Sequence, residues 1–343
     1  MPETAPLPLL VVGAGVSGLS CARELAAAGS APLVLDRARG VGGRCATRRL
    51  EEHPFDLGSS FLHGRDPDFL AAVGAVSGTA LAGWPREVRG RGRPCQPEAF
   101  SEGERRLALA EGMTAFPKHL ARGLEVRLGA AAVALEPGPG AVAVRLESGS
   151  AVQAGTVVLA MAAEEMASLL ATAPGEPEIA AAAAVLRLSR SEACLALAAL
   201  YPQGVEAPAW QLALPEESRI LQVASNESSK RRLPAAAVVY QAHPAWSREH
   251  ADDPGWPQAM LAEAARLFGD WAGAPRLTHE HRWRFARAGL AAELSAPMLL
   301  RLRGGGRLGL CGDRFGRGGG MEGAWISGRA LARRILAERR VEG

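Results

Sequence analysis

Apolar residues fall in short unbroken runs where the chain begins. Residues 7–12 (Leu-Pro-Leu-Leu-Val-Val) have the length of a strand, and so do Leu33-Val34-Leu35 after a helix-compatible stretch over 19–28 that ends at Gly29. Runs without alternation predict strands buried on both faces of a parallel sheet. Residues 156–161 are another such run, and a further strand is expected at 307–311. A different pattern occupies 141–147, where Val142, Val144 and Leu146 alternate with Ala, Arg and Glu. With a strand at 131–136 and the Gly138-Pro139-Gly140 link, this predicts a hairpin. A further strand is expected at 125–128 and a helix over 112–121. Residues 76–111 carry Pro, Gly and Arg without a period of 2 or 3.6, as an excursion out of the sheet would. Beyond 174 come expected strands at 195–200 and 236–240. An amphipathic helix follows over 258–271, with Met260, Ala264, Leu267 and Trp271 on one face. The last helix is expected to run to about residue 338.

The link between the first two runs is Gly13-Ala14-Gly15-Val16-Ser17-Gly18, and the second run closes on Asp36. Strand, G-x-G-x-x-G, helix, strand and acid in that order form a dinucleotide-binding fingerprint. Gly13 allows the tight turn, Gly15 the approach of a pyrophosphate and Gly18 close helix–strand packing. Val16 and Ser17 lie at the helix N-terminus, whose free N–H groups and positive dipole end suit phosphate. Asp36 is placed to accept from a ribose diol. Arg37, Gly43 and Arg44 follow at once, and arginines beside a pyrophosphate have an electrostatic role. Leu57-Gly58-Ser59-Ser60 offers small residues past which a flat ring can lie. Near the end, Gly312-Asp313 and a second glycine-rich loop precede Glu322-Gly323-Ala324, another helix start suited to negative charge.

Composition narrows the picture. A chain of 343 residues suits two domains. A net charge of +3, with short scattered arginine clusters, does not point to nucleic acid. Five widely spaced cysteines include no C-x-x-C pair and no zinc spacing, so free thiols in a reducing cytoplasm are expected, with no metal. The first apolar run leads straight into the glycine motif, as a strand would and a signal peptide would not. No apolar segment has the length of a membrane span.

Taken together, the glycine fingerprint, the Gly42-Gly43-Arg44 step, the Phe55-Asp56-Leu57-Gly58 segment and the terminal Gly312-Asp313 resemble the flavin amine oxidase superfamily. The resemblance implies an α/β fold with a Rossmann-like FAD-binding domain of glutathione-reductase type, and a mixed α+β substrate domain built from insertions. The first domain would comprise 1–75, 108–172 and 295–343, the second 76–107 and 173–294. It implies non-covalent FAD, held by the residues named above together with Val133. Stretches at 225–230, 240–247 and 281–286 resemble renalase-like enzymes more closely. Those enzymes pass a hydride from dihydronicotinamide isomers of NAD(P)H to flavin, then electrons to oxygen, giving NAD(P)+ and hydrogen peroxide. On this resemblance Asn226, His243, Trp246 and Trp283 are candidates for the substrate site. The segment 60–64 is also similar to polyamine-type oxidases, and makes His63 a further candidate and amine oxidation an alternative; a flavin-bound protein without turnover is another. An aromatic cage for an amine is not expected, since Tyr201 and Tyr240 are the only tyrosines. No lysine stands out for a water beside the flavin, and no protein partner is evident.

Overall fold

The computed structural model describes residues 7–76, 80–231, 233, 235–288, 294–316 and 319–342. The chain divides into two compact units, one formed by 1–43, 116–191 and 288–343, the other by 44–115 and 192–287.

The first unit is organised on an eight-stranded sheet. Its centre is five parallel strands in the order Glu125–Arg127, Leu33–Leu35, Leu7–Val12, Ala151–Leu159 and Arg307–Leu310, with Met298–Arg301 antiparallel at one edge. Val11 lies opposite Val158 on one side and Val34 on the other, so the unbroken apolar runs are buried strands. The expected hairpin is present as Ala132–Gly138 and Ala141–Leu146, attached through the first half of the 151–159 strand. The helix Val16–Ala27 packs against the long C-terminal helix Gly320–Glu342. A β-carbon at Gly328 would lie 2.1 Å from the Ser17 carbonyl oxygen, so the absence of a side chain there sets the approach of the two helices. Ser20 Oγ donates to the Trp325 carbonyl, and Glu24 pairs with Arg329 and Arg333. The Ala-rich segment after residue 174 forms the helix Pro177–Arg187, which packs with Ala163–Leu170 on this unit's core.

The second unit carries a six-stranded sheet in the order Leu277–Ala288, Ser191–Leu200, Ala237–Ala242, Leu221–Asn226, Leu212–Ala213 and Val88–Arg89. Both faces are covered. Leu195, Leu197, Ala199 and Tyr240 meet the helix Trp256–Phe268 on one side, while Ala198, Leu200 and Val239 meet Phe55 and Leu57 on the other. This double burial is why these strands read as apolar runs. The expected helix ends at Phe268, and Trp271 belongs to a separate turn, Asp270–Gly273, beyond Gly269, whose φ of +102° a side chain would resist. The 76–111 stretch contains strands its composition did not reveal: Ala80–Ala82 and Arg105–Leu109 pair in a three-stranded sheet with Leu62–Gly64, and Val88–Arg89 joins the large sheet. Residues 44–75, expected with the nucleotide-binding domain, pack here instead. The hairpin Thr47–Leu50 and His53–Asp56 delivers a buried carboxylate to the helix Glu227–Arg231.

Candidate functional site

The glycine turn of the first unit has the geometry its spacing demands. Gly13 has φ +113°, and a β-carbon on it would lie 2.2 Å from the Ala160 carbonyl oxygen. One on Gly18 would lie 2.0 Å from the Gly13 carbonyl oxygen. Gly15, at the helix N-cap, is different: a β-carbon there would meet nothing within 4 Å. The turn is therefore tight where it folds on itself and open where a ligand would approach. Val16 and Ser17 are buried at the start of the helix, whose first-turn N–H groups have no partner within a helix.

Asp36 does more than the sequence suggests. One carboxylate oxygen accepts from the Ala14 N–H at 2.6 Å and the other from the Ala38 N–H at 2.7 Å. The acid thus ties the glycine turn to the end of the second strand, and its remaining lone pairs are what a ribose would use. Arg37 is paired with Glu165. Gly42 donates to the Ala14 carbonyl, and Gly43, at φ +52°, comes beside Gly15. Val133 is exposed on its strand. In the second glycine loop Gly312 N–H donates to Ser327 Oγ at 3.2 Å, and Asp313 is buried. The helix starts at Gly320, earlier than the expected start at 322–324, so Glu322 and Gly323 lie in its first turn and Ala324 just beyond it. Arg317 and Gly318 of this loop lie outside the described residues.

The second unit holds a cavity of about 600 Å³, counting its open mouth. Its lining includes Arg44, Gly58, Ser59, Ser60, Phe61, Trp283 and Arg287. The Phe55–Phe61 segment is drawn tightly into place. A β-carbon on Gly58 would lie 2.0 Å from the Arg44 carbonyl oxygen, which also accepts the Ser59 N–H at 3.1 Å. Trp283 Nε1–H donates to the Leu57 carbonyl at 2.8 Å, and Gln241 Nε2 to the Gly58 carbonyl at 2.6 Å. Leu57 is itself fully buried and contributes its carbonyl, not its side chain. Two thiols, Cys95 and Cys194, also line the cavity, beside Arg287. Burial pushes the Cys95 thiol up to about 11 and raises Cys194 as well, so both are protonated at neutral pH.

Of the substrate-site candidates, the cavity includes Trp283. Asn226 is buried with its amide donating to the Pro208 and Trp210 carbonyls at 2.9 and 3.0 Å, which fixes a loop. His243 is the N-cap of the short helix Pro244–Glu249, half-buried and not among the residues that line the cavity. Trp246 stacks on His250 with ring centroids 4.3 Å apart and packs toward the Trp256 core. His63 Nδ1 lies 2.8 Å from Glu104 Oε2, which belongs to a carboxylate that also holds Arg65. The side chains that sequence reasoning passed over are Phe61, Cys95, Cys194, Gln241 and Arg287. Gln241 stood inside one of the stretches already singled out, but nothing local marks it as facing a cavity.

At Asp56, next to Leu57 in the chain, lies a buried ionic cluster. Lys230 Nζ is 3.0 Å from Asp56 Oδ2 and 2.8 Å from Glu227 Oε1, while Arg231 reaches the same two carboxylates at 2.7 and 2.5 Å. Burial would raise the Asp56 carboxyl, but Lys230 and Arg231 outweigh it and hold it far below the usual carboxylate range. Lys230 also sits 4.5 Å over the Trp84 ring. With these partners Lys230 serves the fold.

Comparison with known proteins agrees with this architecture. Residues 11–74 match a family model described as an NAD(P)-binding Rossmann-like domain, and residues 74–336 one described as flavin containing amine oxidoreductase. The "Putative flavin-containing monoamine oxidase AofH" of Mycobacterium tuberculosis is 41% identical over 81 residues, 24% of this chain and 18% of that protein. Pseudooxynicotine dehydrogenase of a Pseudomonas species is 36% identical over 64 residues, 19% of this chain and 13% of its own. The matched segments thus span less than a fifth of these relatives' length. Among solved structures, cyclohexylamine oxidase of Brevibacterium oxydans superposes with a TM-score of 0.75 at 15% identity, covering 98% of this chain and all of that one. Putrescine oxidase bound to putrescine gives 0.72 at 15% identity, with the same coverage.

Proposed function

The chain belongs to the flavin-containing amine oxidoreductase family, with FAD as cofactor, and from that premise we propose that it is an oxidase of dihydronicotinamide isomers of NAD(P)H. The supporting observation is the cavity of the second unit. Among its described lining residues stand two guanidiniums, Arg44 and Arg287, two aromatic rings, Phe61 and Trp283, and no carboxylate. A protonated amine entering it would meet like charge. A flat dihydropyridine meets no such opposition.

Bound FAD supplies a two-electron acceptor. The reaction would consume one dihydronicotinamide isomer, one oxygen and one proton, and give NAD(P)+ and hydrogen peroxide. Loss of hydride turns the dihydropyridine into an aromatic cation, so no residue needs to take a proton from it. The cavity fits that economy, because its thiols are held protonated and its described lining residues include no histidine or carboxylate to act as base. What the chain contributes is orientation. Trp283 is a wall fixed by its N–H on Leu57, and Gln241 fixes the Gly58 backbone beside it. His281, whose ring centroid is 4.2 Å from that of Trp283, is held down to about 4 by burial, with Arg48 adding to the effect. It is therefore neutral at pH 7.

In the first unit the fit to a dinucleotide rests on the open space before Gly15 between two crowded glycines. Gly15, Val16, Ser17 and Asp36 would hold the pyrophosphate and ribose. Gly312, Asp313 and the N-terminal part of the last helix, with Glu322, Gly323 and Ala324, would serve the rest of the cofactor, together with Arg37, Gly43 and Val133.

Amine oxidation is the second reading, supported by the oxidase names of the similar proteins. An anaerobic titration separates the two. NAD(P)H equilibrated with its isomers should bleach the flavin band of the purified holoprotein, while fresh NAD(P)H and an amine panel leave it. Bleaching by amines alone would replace the first reading with the second, and inertness to both would leave a flavoprotein without this turnover.

A further inference from the structure

The hairpin Thr47–Leu50 and His53–Asp56 is tied to the strand Leu277–Ala288 at two points. Glu51, in its turn, takes both terminal nitrogens of Arg276 at 2.7 and 2.8 Å, and the Leu57 carbonyl, just past its end, takes the Trp283 N–H at 2.8 Å. Between these ties the strand carries His279 and His281 on the face of Trp283, since residues two apart on a strand point the same way. Both imidazoles are half-buried, and among the described residues neither has a hydrogen-bond or ion-pair partner. Arg48 of the hairpin is exposed and likewise without a partner among the described residues. Burial lowers both imidazoles, and the Arg48 guanidinium lowers them further, so the three groups stand near one another. The nearby carboxylates do not balance them. Glu51 is held by Arg276, Glu192 of the adjacent strand lies by Arg287, and Glu280, on the opposite face, acts on His279 less than Arg48 does. Arg49 is turned to the Glu52 carbonyl, His53 lies across from Leu50, and Arg282 and Arg284 alternate to the opposite face.

A cation and two imidazoles with no anion of their own offer charge and N–H donors, which is what a phosphoryl oxyanion requires. We propose that Arg48, His279 and His281 form a phosphate-binding site, which takes a phosphoryl group of the substrate while its flat ring lies on Trp283. His281 joins the two, its ring centroid 4.2 Å from that of Trp283, which lines the cavity. This rests on the cavity being the substrate site and deepens it, for among dihydronicotinamide isomers the site selects the phosphorylated nucleotide over the nucleoside. The three are binding residues, so their loss raises KM and leaves the limiting rate. A bound anion favours the protonated imidazoles, so binding takes up protons and tightens as pH falls from 7 toward 5.

The test uses oxidised ligands and does not depend on turnover. Nicotinamide mononucleotide, nicotinamide riboside and inorganic sulfate are titrated into the holoprotein by calorimetry. Two imidazole donors and one exposed cation together correspond to roughly tenfold in affinity. The mononucleotide should therefore bind about tenfold tighter than the riboside, which lacks only the phosphate. Arg48→Gln should keep part of that ratio, and the Arg48→Gln, His279→Ala double variant should erase it. Sulfate, whose charge is constant over this range, should bind more tightly at pH 5.5 than at pH 7 and should compete with the mononucleotide. Equal affinities for mononucleotide and riboside in the unaltered protein overturn the proposal, and so does a double variant that retains flavin and the full ratio. Sulfate binding that ignores pH overturns it too, and sulfate that binds without displacing the mononucleotide overturns the link to the substrate. If the variants fail to fold, the unaltered protein's ratio decides. An Arg48-dependent phosphate preference in a protein inert to the isomer mixture supports the site while rejecting the turnover reading. Bleaching by the nucleotide and its nucleoside with equal KM keeps the turnover reading and rejects the site.

Discussion

The glycine turn of the first unit and the cavity of the second, the two proposed ligand sites, are built in opposite ways. The turn uses absences: missing side chains at Gly13, Gly15 and Gly18, and backbone N–H groups at a helix start. Everything it needs lies within 30 residues, because Asp36 folds straight back onto the Ala14 N–H. The cavity uses side chains from segments far apart in the chain, from Arg44 to Arg287, and stands on a buried cluster of four charges. One site is written by spacing, the other by long-range packing. They should therefore fail differently when altered.

The largest contrast lies within the turn. Gly18→Val would drive a side chain into the Gly13 carbonyl, so the first unit should lose both its flavin and its cooperative melt. Gly15→Val meets open space in the protein, and should give a folded, colourless protein. Visible absorbance and a thermal melt of both variants check the pair, and a yellow Gly15→Val protein would remove the pyrophosphate from that position.

Next in size is the charge cluster. Lys230→Met leaves Asp56 and Glu227 with Arg231 alone, an uncompensated buried negative charge worth about 3–5 kcal/mol of stability. Denaturant unfolding measures it; a loss under about 1 kcal/mol would mean the cluster is not dry.

Acid probes the same unit more gently. Asp56 has a folded pKa below its unfolded value near 3.9, so its contribution is complete above that value and lost as pH falls. His281 is lowered from near 6.5 to about 4, so between those values the unfolded chain binds the extra proton and stability again drops with falling pH. Unfolding midpoints should accordingly decrease from pH 7 to pH 4. A flat profile over that range would contradict the His281 environment, and one that stays flat below pH 4 would contradict that of Asp56.

The smallest effects separate scaffold from site. Asn226→Ala strands two carbonyls and should cost about 2 kcal/mol with kcat/KM unchanged. Trp283→Phe loses one hydrogen bond to Leu57, about 1 kcal/mol, but should raise the substrate KM. If activity followed Asn226 and ignored Trp283, the cavity would not be the substrate site.

Read from the chain alone, the parallel strands, the hairpin and the first helix are all visible, because each is encoded by local period and by glycines with a specific local duty. The buried strand Thr156 to Leu159 and the N-cap at Gly15 need no distant partner to be recognised. The short strands at Ala80–Ala82 and Arg105–Leu109 are not visible, since each is held by its neighbours and not by its own pattern. Side-chain chemistry was legible only in type. Asn226, His243 and Trp246 are the residue types a nicotinamide site would use, yet they fix a loop, cap a helix and stack on His250.

What the sequence determined by itself is the nucleotide turn, the class of fold and the family's flavin, since these depend on backbone geometry that spacing fixes. Tertiary structure alone decided which side chains meet: that Asp56 is clasped by Lys230 and Arg231, and that Trp283 and Arg287 share a cavity with Arg44. The physical reason is that a strand's period says which residues are buried but not what they are buried against. Contacts between residues 170 or more positions apart, such as Asp56 and Lys230, are chosen by the packing of whole sheets.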